Sequence, residues 1–137
     1  MSVGTAAVRI DPNGLVDEAL TEQIIGAAIE VHRHIGPGLL ESAYEECLCH
    51  ELQLRGLAFR RQVSLPVVYK SVALDCGYKM DLVVQDRVVV ELKCVVSILG
   101  VHHAQLLTYL KLSGKRVGLL LNFHVSVMTR GIVRRVL

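Results

Sequence analysis

The chain has 137 residues and a mass of 15.1 kDa, with 52% hydrophobic residues, 20% charged residues and a formal net charge of +2. This length suits one domain with its own core, and the charge balance neither requires nor excludes a nucleic-acid partner. No apolar run reaches the roughly 18 residues of a membrane span, and no basic flank with an apolar block indicates a secretory signal.

Cysteine usage and hydropathy indicate the compartment and the assembly. The four cysteines are Cys47, Cys49, Cys76 and Cys94, and they form no CxxC or zinc-finger spacing. We therefore expect free thiols in a reducing, cytoplasmic compartment. The mean hydropathy of +0.44 is high for a soluble monomer, so we expect a homodimer that covers part of the apolar surface.

The N-terminal part of the chain is predicted to hold a leader and a helix. Residues 1–16 contain a turn sequence, and we predict a flexible leader there, followed by a single domain over 17–137. Thr21 is predicted to cap a helix with apolar residues at helical spacing. The segment Gly36-Pro37-Gly38 is predicted to end that helix.

A second helix is predicted from about Leu39 to Arg55. Its buried stripe is predicted to consist of Ala43, Tyr44, Cys47, Leu48 and Leu52. Glu41 lies in its first turn, where the helix dipole favours a negative charge. An acid at that position needs no further explanation on its own.

The rest of the chain alternates strands with one helix. The predicted elements are a strand over 59–69 interrupted at Pro66, a strand over 72–84 with a bulge at Gly77, a strand over 88–93, a helix over 101–113, and strands over 116–123 and 132–137. This order predicts an α/β fold with a mixed β-sheet flanked by helices. The strands on either side of the third helix should be parallel, joined by a right-handed crossover.

Charged side chains occur in an otherwise apolar strand. Side chains alternate across Val88 to Lys93, so Glu91 and Lys93 share one face of the strand. A charge in such a strand needs a partner, because burying it alone costs several kcal/mol. Asp81 in the preceding strand is opposite Glu91 if the turn between the strands has an odd number of residues. A two-residue turn would place it opposite Leu92, unless a bulge restored the register.

Two carboxylates crowded at the edge of an apolar sheet repel each other until a cation lies between them. A hard divalent ion with oxygen ligands suits this arrangement, so Asp81 and Glu91 are predicted to bind Mg²⁺ or Mn²⁺. The alternative is an ion-pair network in which Asp81, Glu91 and Lys93 only tie the strands together.

Three segments together resemble a known family. Gly38-Leu39-Leu40-Glu41-Ser42-Ala43-Tyr44 fits Gly-x-x-Glu-x-x-Tyr, and it is followed by Met80-Asp81 and by Glu91-Leu92-Lys93. The chain thus resembles the GxxExxY family of the PD-(D/E)XK nuclease-like superfamily over about 20–137. It departs from the superfamily signature in having Met80 where the motif has proline.

The resemblance implies a restriction-endonuclease-like core and a nuclease that hydrolyses phosphodiester bonds with a metal-activated water. DNA is the first expected substrate and RNA the second. The catalytic residues would be Glu41, Asp81, Glu91, Lys93 and Gln105, with Glu41 as a further metal ligand. Tyr109 and Tyr44 would support these residues or contact phosphate. Two other functions stay open, namely a catalytically idle module of this fold that binds nucleic acid or a protein partner, and a structural oligomer.

Overall fold

The structure is a computed structural model, and it describes residues 16–137. Within this range the elements follow the order α1 (Glu18–Ile35), α2 (Glu41–Leu54), β1 (Phe59–Ser64), β2 (Val67–Tyr69), β3 (Val72–Leu74), β4 (Lys79–Val84), β5 (Val88–Lys93), α3 (Gly100–Ser113), β6 (Val117–Asn122), a short 3₁₀ helix (Met128–Gly131) and β7 (Ile132–Val136). No helix in 16–137 is both long and apolar enough to cross a membrane.

Five of the strands form one mixed sheet in the order β1-β4-β5-β6-β7. The β5–β6 pair is parallel and has α3 between its strands, whereas the other three pairs are antiparallel. Strands β2 and β3 form a separate antiparallel hairpin. The predicted mixed α/β class is confirmed.

The sheet separates two apolar layers. On one face α1 and α2 pack on residues such as Leu82, Val90 and Leu119, and on the other face α3 packs on residues such as Val89 and Leu120. Strands β5 and β6 lie at the centre and are buried on both faces, except for the half-buried Lys93. This explains why both strands are runs of valine and leucine.

Two predicted features at the N-terminal side need correction. The leader predicted over 1–16 lies outside the described residues except for Val16, which is buried. Thr21 does not cap α1, because the helix begins three residues earlier and the Thr21 hydroxyl donates to the carbonyl of Glu18 from inside the first turn. The predicted stop at Gly36 is confirmed.

Helix α2 is shorter than predicted at both ends, and its buried side differs in part. Ala43 and Cys47 are only half-buried, and Glu45 and Cys49 are buried in addition to the predicted apolar residues. The strand predicted over 72–84 is in fact two strands, because the chain leaves the extended conformation between β3 and β4, where Gly77 has φ +76°. The apolar residues on both sides of this break made it resemble one strand.

Candidate active site

The turn between β4 and β5 sets the register of the candidate site. Val84 pairs with Val88, so three residues form the turn, and Gln85 and Asp86 adopt the left-handed conformation there (φ 53° and 55°). Of the two turn lengths that the sequence left open, the structure therefore has the odd-numbered one. Continuing the Leu82–Val90 pairing by one residue brings Asp81 opposite Glu91.

At this point side chains replace the backbone ladder between the two strands. The Asp81 backbone N–H donates to Glu91 Oε2 at 2.7 Å, and the Leu92 backbone N–H donates to Asp81 Oδ2 at 2.9 Å. Each carboxylate thus accepts a hydrogen bond from the opposite strand. The arrangement places both carboxylates between β4 and β5, with their backbones held in position.

The carboxyl groups have unusual protonation equilibria. Glu91 is only 4% exposed, and burial, reinforced by the negative charge of Asp81, raises its pKa to about 8. Burial also raises the pKa of Asp81, although the hydrogen bond from Leu92 opposes this. The positive charge of Lys93 favours the ionised form of both groups. Burial and mutual repulsion therefore disfavour ionisation of both acids together, and a bound cation would offset this.

Glu41 reaches the same region from the start of α2. Its pKa is raised by burial and then by the charge of Asp81, and Lys93 opposes the shift. It is nonetheless an exposed residue. Within 16–137 no three His, Cys, Asp or Glu residues are grouped closely enough to hold a metal ion. The predicted set of three ligands, Asp81, Glu91 and Glu41, is therefore not assembled.

A chain of side chains links the site to α3. Lys93 Nζ donates to Gln105 Oε1 at 3.2 Å, and Gln105 Nε2 donates to the Tyr109 hydroxyl at 3.0 Å. Gln105 and Tyr109 lie four residues apart, on one side of the helix. Both side chains therefore lie beside the β5 face that carries Glu91 and Lys93.

Tyr44 lies in the core, as predicted for the buried stripe of α2. Its ring is fully buried and stacks on Phe123, with centroids 4.5 Å apart and planes at 12°. Its hydroxyl donates to the carbonyl of Gly36 and accepts the backbone N–H of Leu39. A fully buried tyrosine cannot contact a phosphate, so Tyr44 instead holds the turn that leads to Glu41.

Sequence reasoning missed a polar group on the other side of Asp81. Gln62 Nε2 donates to Glu45 Oε1 at 2.9 Å and lies 3.5 Å from Asp81 Oδ1. Arg61 binds Glu45 Oε2 through two nitrogens. Gln62 has φ 49°, a conformation that costs about 1 kcal/mol or more for a residue with a side chain. Only Glu45 had a sequence signal, because it lies one helical turn after Glu41.

A divalent ion fits the donor chemistry of Asp81 and Glu91. Each carboxylate uses one oxygen for a backbone N–H. This leaves Glu91 Oε1 and Asp81 Oδ1 to bind a cation, and Asp81 Oδ1 has only the long 3.5 Å contact with Gln62. Mg²⁺ typically binds one or two carboxylates and keeps several waters. The pair is therefore sufficient without Glu41, and a cation bound there would offset the burial and the repulsion by Asp81 that raise the pKa of Glu91.

Glu91→Gln is expected to stabilise the metal-free protein at alkaline pH. A folded pKa of about 8 lies above the value of 4.5 for an unperturbed glutamate, so the protonated form contributes its full stability below pH 4.5 and loses it as the pH rises through 8. Glutamine can accept the same hydrogen bond without a charge. We expect the variant to be more stable by about 2–4 kcal/mol at pH 8.5, measured by urea unfolding in EDTA.

The difference between the two proteins should shrink as the pH falls towards 5. Glu22→Gln, which changes an exposed acid on α1, is the matched control and should follow the wild type throughout. If the free energies of unfolding of wild type and Glu91→Gln change with pH in parallel, burial and Asp81 do not raise the pKa of Glu91.

Comparison with known proteins supports a family assignment. A family model described as PD-(D/E)XK nuclease superfamily matches residues 18–136. The match covers all the helices and strands of the structure and includes every residue of the candidate site. No curated protein and no solved structure matches the chain.

Proposed function

The chain belongs to the PD-(D/E)XK nuclease superfamily, and we propose that it is a divalent-metal-dependent nuclease that hydrolyses phosphodiester bonds. DNA is the first expected substrate and RNA the second. The five-stranded mixed sheet with its helices is consistent with the restriction-endonuclease-like fold of this superfamily. Nucleases of the superfamily generally use divalent metal ions. The observation that carries the proposal is the pairing of Asp81 with Glu91 across β4 and β5, beside Lys93.

Asp81 and Glu91 are the residues that would hold the ion. A bound Mg²⁺ or Mn²⁺ polarises a phosphoryl oxygen and makes a bound water more acidic. The two backbone N–H groups that bind these carboxylates fix their position before any ion binds. Such preorganisation is what an electrostatic site requires.

Lys93 would balance charge that develops on the phosphate or orient the attacking water. Its ammonium group lies on the same face of β5 as Glu91, and Gln105 restricts its position through the 3.2 Å hydrogen bond. Tyr109 in turn restricts Gln105. A cation held in place by neutral side chains keeps its charge available to the substrate, whereas a tight ion pair would neutralise it.

We assign Glu41 a role beside the ion, not as its ligand. The charges of Asp81 and Lys93 affect the pKa of its carboxyl group, so Glu41 lies close to them. It would accept a hydrogen bond from a water held by a bound ion. We also propose the finer assignment to the GxxExxY family, which the positions of Glu41 and Tyr44, the two residues named in its motif, support. Glu41 opens α2 towards the site, and Tyr44 holds the preceding turn.

The experiment that tests this proposal combines metal binding with cleavage. We expect Mn²⁺ to raise the melting temperature of the wild type, because an ion that binds only the folded state stabilises it. We also expect Mn²⁺-dependent cutting of single-stranded, duplex or branched DNA, read on denaturing gels. Asp81→Asn should abolish both the thermal shift and the cutting.

Asp81→Asn should leave the metal-free protein at least as stable as the wild type, because it relieves repulsion between carboxylates. Glu22→Gln is again the matched control and should behave as wild type. If metal has no effect on wild-type melting and Asp81→Asn loses stability, the carboxylates only tie the strands together and the nuclease proposal is wrong. A thermal shift without cutting of any substrate would identify a catalytically idle module of this fold.

A further inference from the structure

We propose that a cavity beside the candidate site binds one unpaired nucleobase of the substrate strand. This base pocket is a cavity of about 510 Å³ between α3 and the segment that precedes β4. Its principal lining residues are Val67, Tyr78, His102, Gln105, Thr108 and Tyr109. The proposal rests on the nuclease function proposed above and specifies its substrate as a strand with unpaired bases.

The base pocket is linked to the candidate active site through two shared residues. Gln105 and Tyr109 line the cavity, and the same two residues form the hydrogen-bonded chain that ends at Lys93. A nucleotide whose phosphate lay at Lys93 would therefore place its sugar and base next to this opening. The neighbouring cavity is the first space that the substrate strand would meet on the α3 side.

The lining of the base pocket suits a nucleobase. Tyr78 is 48% exposed and packs edge-to-face with Tyr109, with centroids 6.2 Å apart and planes at 64°. The backbone of Tyr78 is restrained because its carbonyl accepts the backbone N–H of Leu65 at 2.9 Å, and its ring is restrained by the contact with Tyr109. An exposed aromatic ring held in a fixed place is a stacking platform for a base.

Polar groups stand at the edges of this platform. His102, Gln105 and Thr108 project hydrogen-bonding side chains along one side of α3, and a base offers donors and acceptors at its rim. Among the described residues the Tyr109 hydroxyl accepts from Gln105 and has no acceptor for its own hydrogen. The volume lies within the range of about 300–1,000 Å³ that is typical of small-ligand sites.

An unpaired base is required, because a base in a duplex is stacked and paired and cannot enter a side cavity without unstacking. The charge of the protein agrees with this. A net charge of +2 gives little overall attraction to a phosphate backbone, so stacking would have to contribute much of the affinity for a substrate.

The test measures binding of a single strand under conditions that prevent cutting. The probe is a DNA of about 10 nucleotides with a 5′ fluorescein and an internal 2-aminopurine, in Ca²⁺ instead of Mg²⁺. Anisotropy reports binding, and quenching of 2-aminopurine reports stacking on a ring. We expect Tyr78→Ala to weaken binding roughly tenfold and to remove the quenching, and Tyr78→Phe to retain both.

Tyr69→Ala is the matched control, because Tyr69 is 61% exposed on the β2–β3 hairpin but does not line the cavity. It should bind like the wild type.

A second variant, Ala104→Leu, narrows the pocket from an exposed helical position where leucine favours helix, and it should also weaken binding. A blunt duplex should bind all variants alike. If a matched RNA strand shows quenching and the DNA probe does not, the result supports the pocket and identifies RNA as the source of the base.

The two proposals fail separately. Equal single-strand binding by Tyr78→Ala and Tyr69→Ala, or no single-strand binding by the wild type, would overturn the base pocket even if the protein cuts DNA. A wild type that quenches the probe but cuts no nucleic acid with Mn²⁺ would overturn the nuclease and leave the pocket standing.

Discussion

Lys93→Ala is expected to reduce Mn²⁺-dependent cleavage about 10²- to 10³-fold, the usual loss when one preorganised electrostatic group is removed. Lys93 is half-buried and its ammonium group is held by Gln105, so the charge is already in place before the substrate binds. The loss should fall mainly on kcat, because the charge acts on the phosphate as it becomes more negative. Steady-state cleavage of a labelled strand measures both kcat and KM.

The Mn²⁺-induced rise in melting temperature should persist in Lys93→Ala, because Asp81 and Glu91 remain. Lys111→Ala is the matched control, since it removes an exposed lysine of α3 and should leave kcat unchanged. Gln105→Leu should give an intermediate loss, because Lys93 keeps its charge but loses its restraint. Full activity in Lys93→Ala would remove Lys93 from the proposed catalytic group.

Tyr44→Ala is expected to destabilise the protein by about 3–5 kcal/mol, the range for removing a large aromatic side chain from a core. Tyr44 has no exposed surface, stacks on Phe123 and binds two backbone groups in the turn before α2. An alanine would leave a cavity beneath α2 and free the turn that positions Glu41. Urea unfolding at neutral pH measures the change.

Tyr44→Phe separates the packing role of the ring from the hydrogen bonds of the hydroxyl. It keeps the stack on Phe123 and should cost only about 1–2 kcal/mol. Well below its melting temperature it should cut DNA at the wild-type rate, because Tyr44 does not touch the substrate. A large loss of cleavage in a stably folded Tyr44→Phe would show that the hydroxyl acts in the reaction.

The strand pair that carries the site was predictable because its signal is local. Alternation along β5 predicted Glu91 and Lys93 on one face, and turn length limited the partner of Asp81 to Glu91 or Leu92, between which the structure decides for Glu91. Both rules need only the period of a strand and the length of one turn. The spacing of Gln105 and Tyr109 was likewise readable from a single helix.

Other parts of the site depend on contacts between distant segments, for which one sequence carries no signal. Gln62 approaches Asp81 through pairing of β1 with β4, and nothing in β1 marks Gln62 as different from its neighbours. The low aromatic content of 4% also gives no indication of a stacking surface. The fold nevertheless brings Tyr78 and Tyr109 together from positions 31 residues apart in the sequence.

The three-residue turn at 85–87 constrains how the chain can diverge. Inserting or deleting one residue there would exchange the two faces of β5. Glu91 would enter the layer beneath α1 and α2, and Leu92 would take its place. Length changes are compatible with the site only in steps of two, unless a bulge absorbs the difference. Evolutionary change in this turn is therefore restricted far more in length than in amino-acid composition.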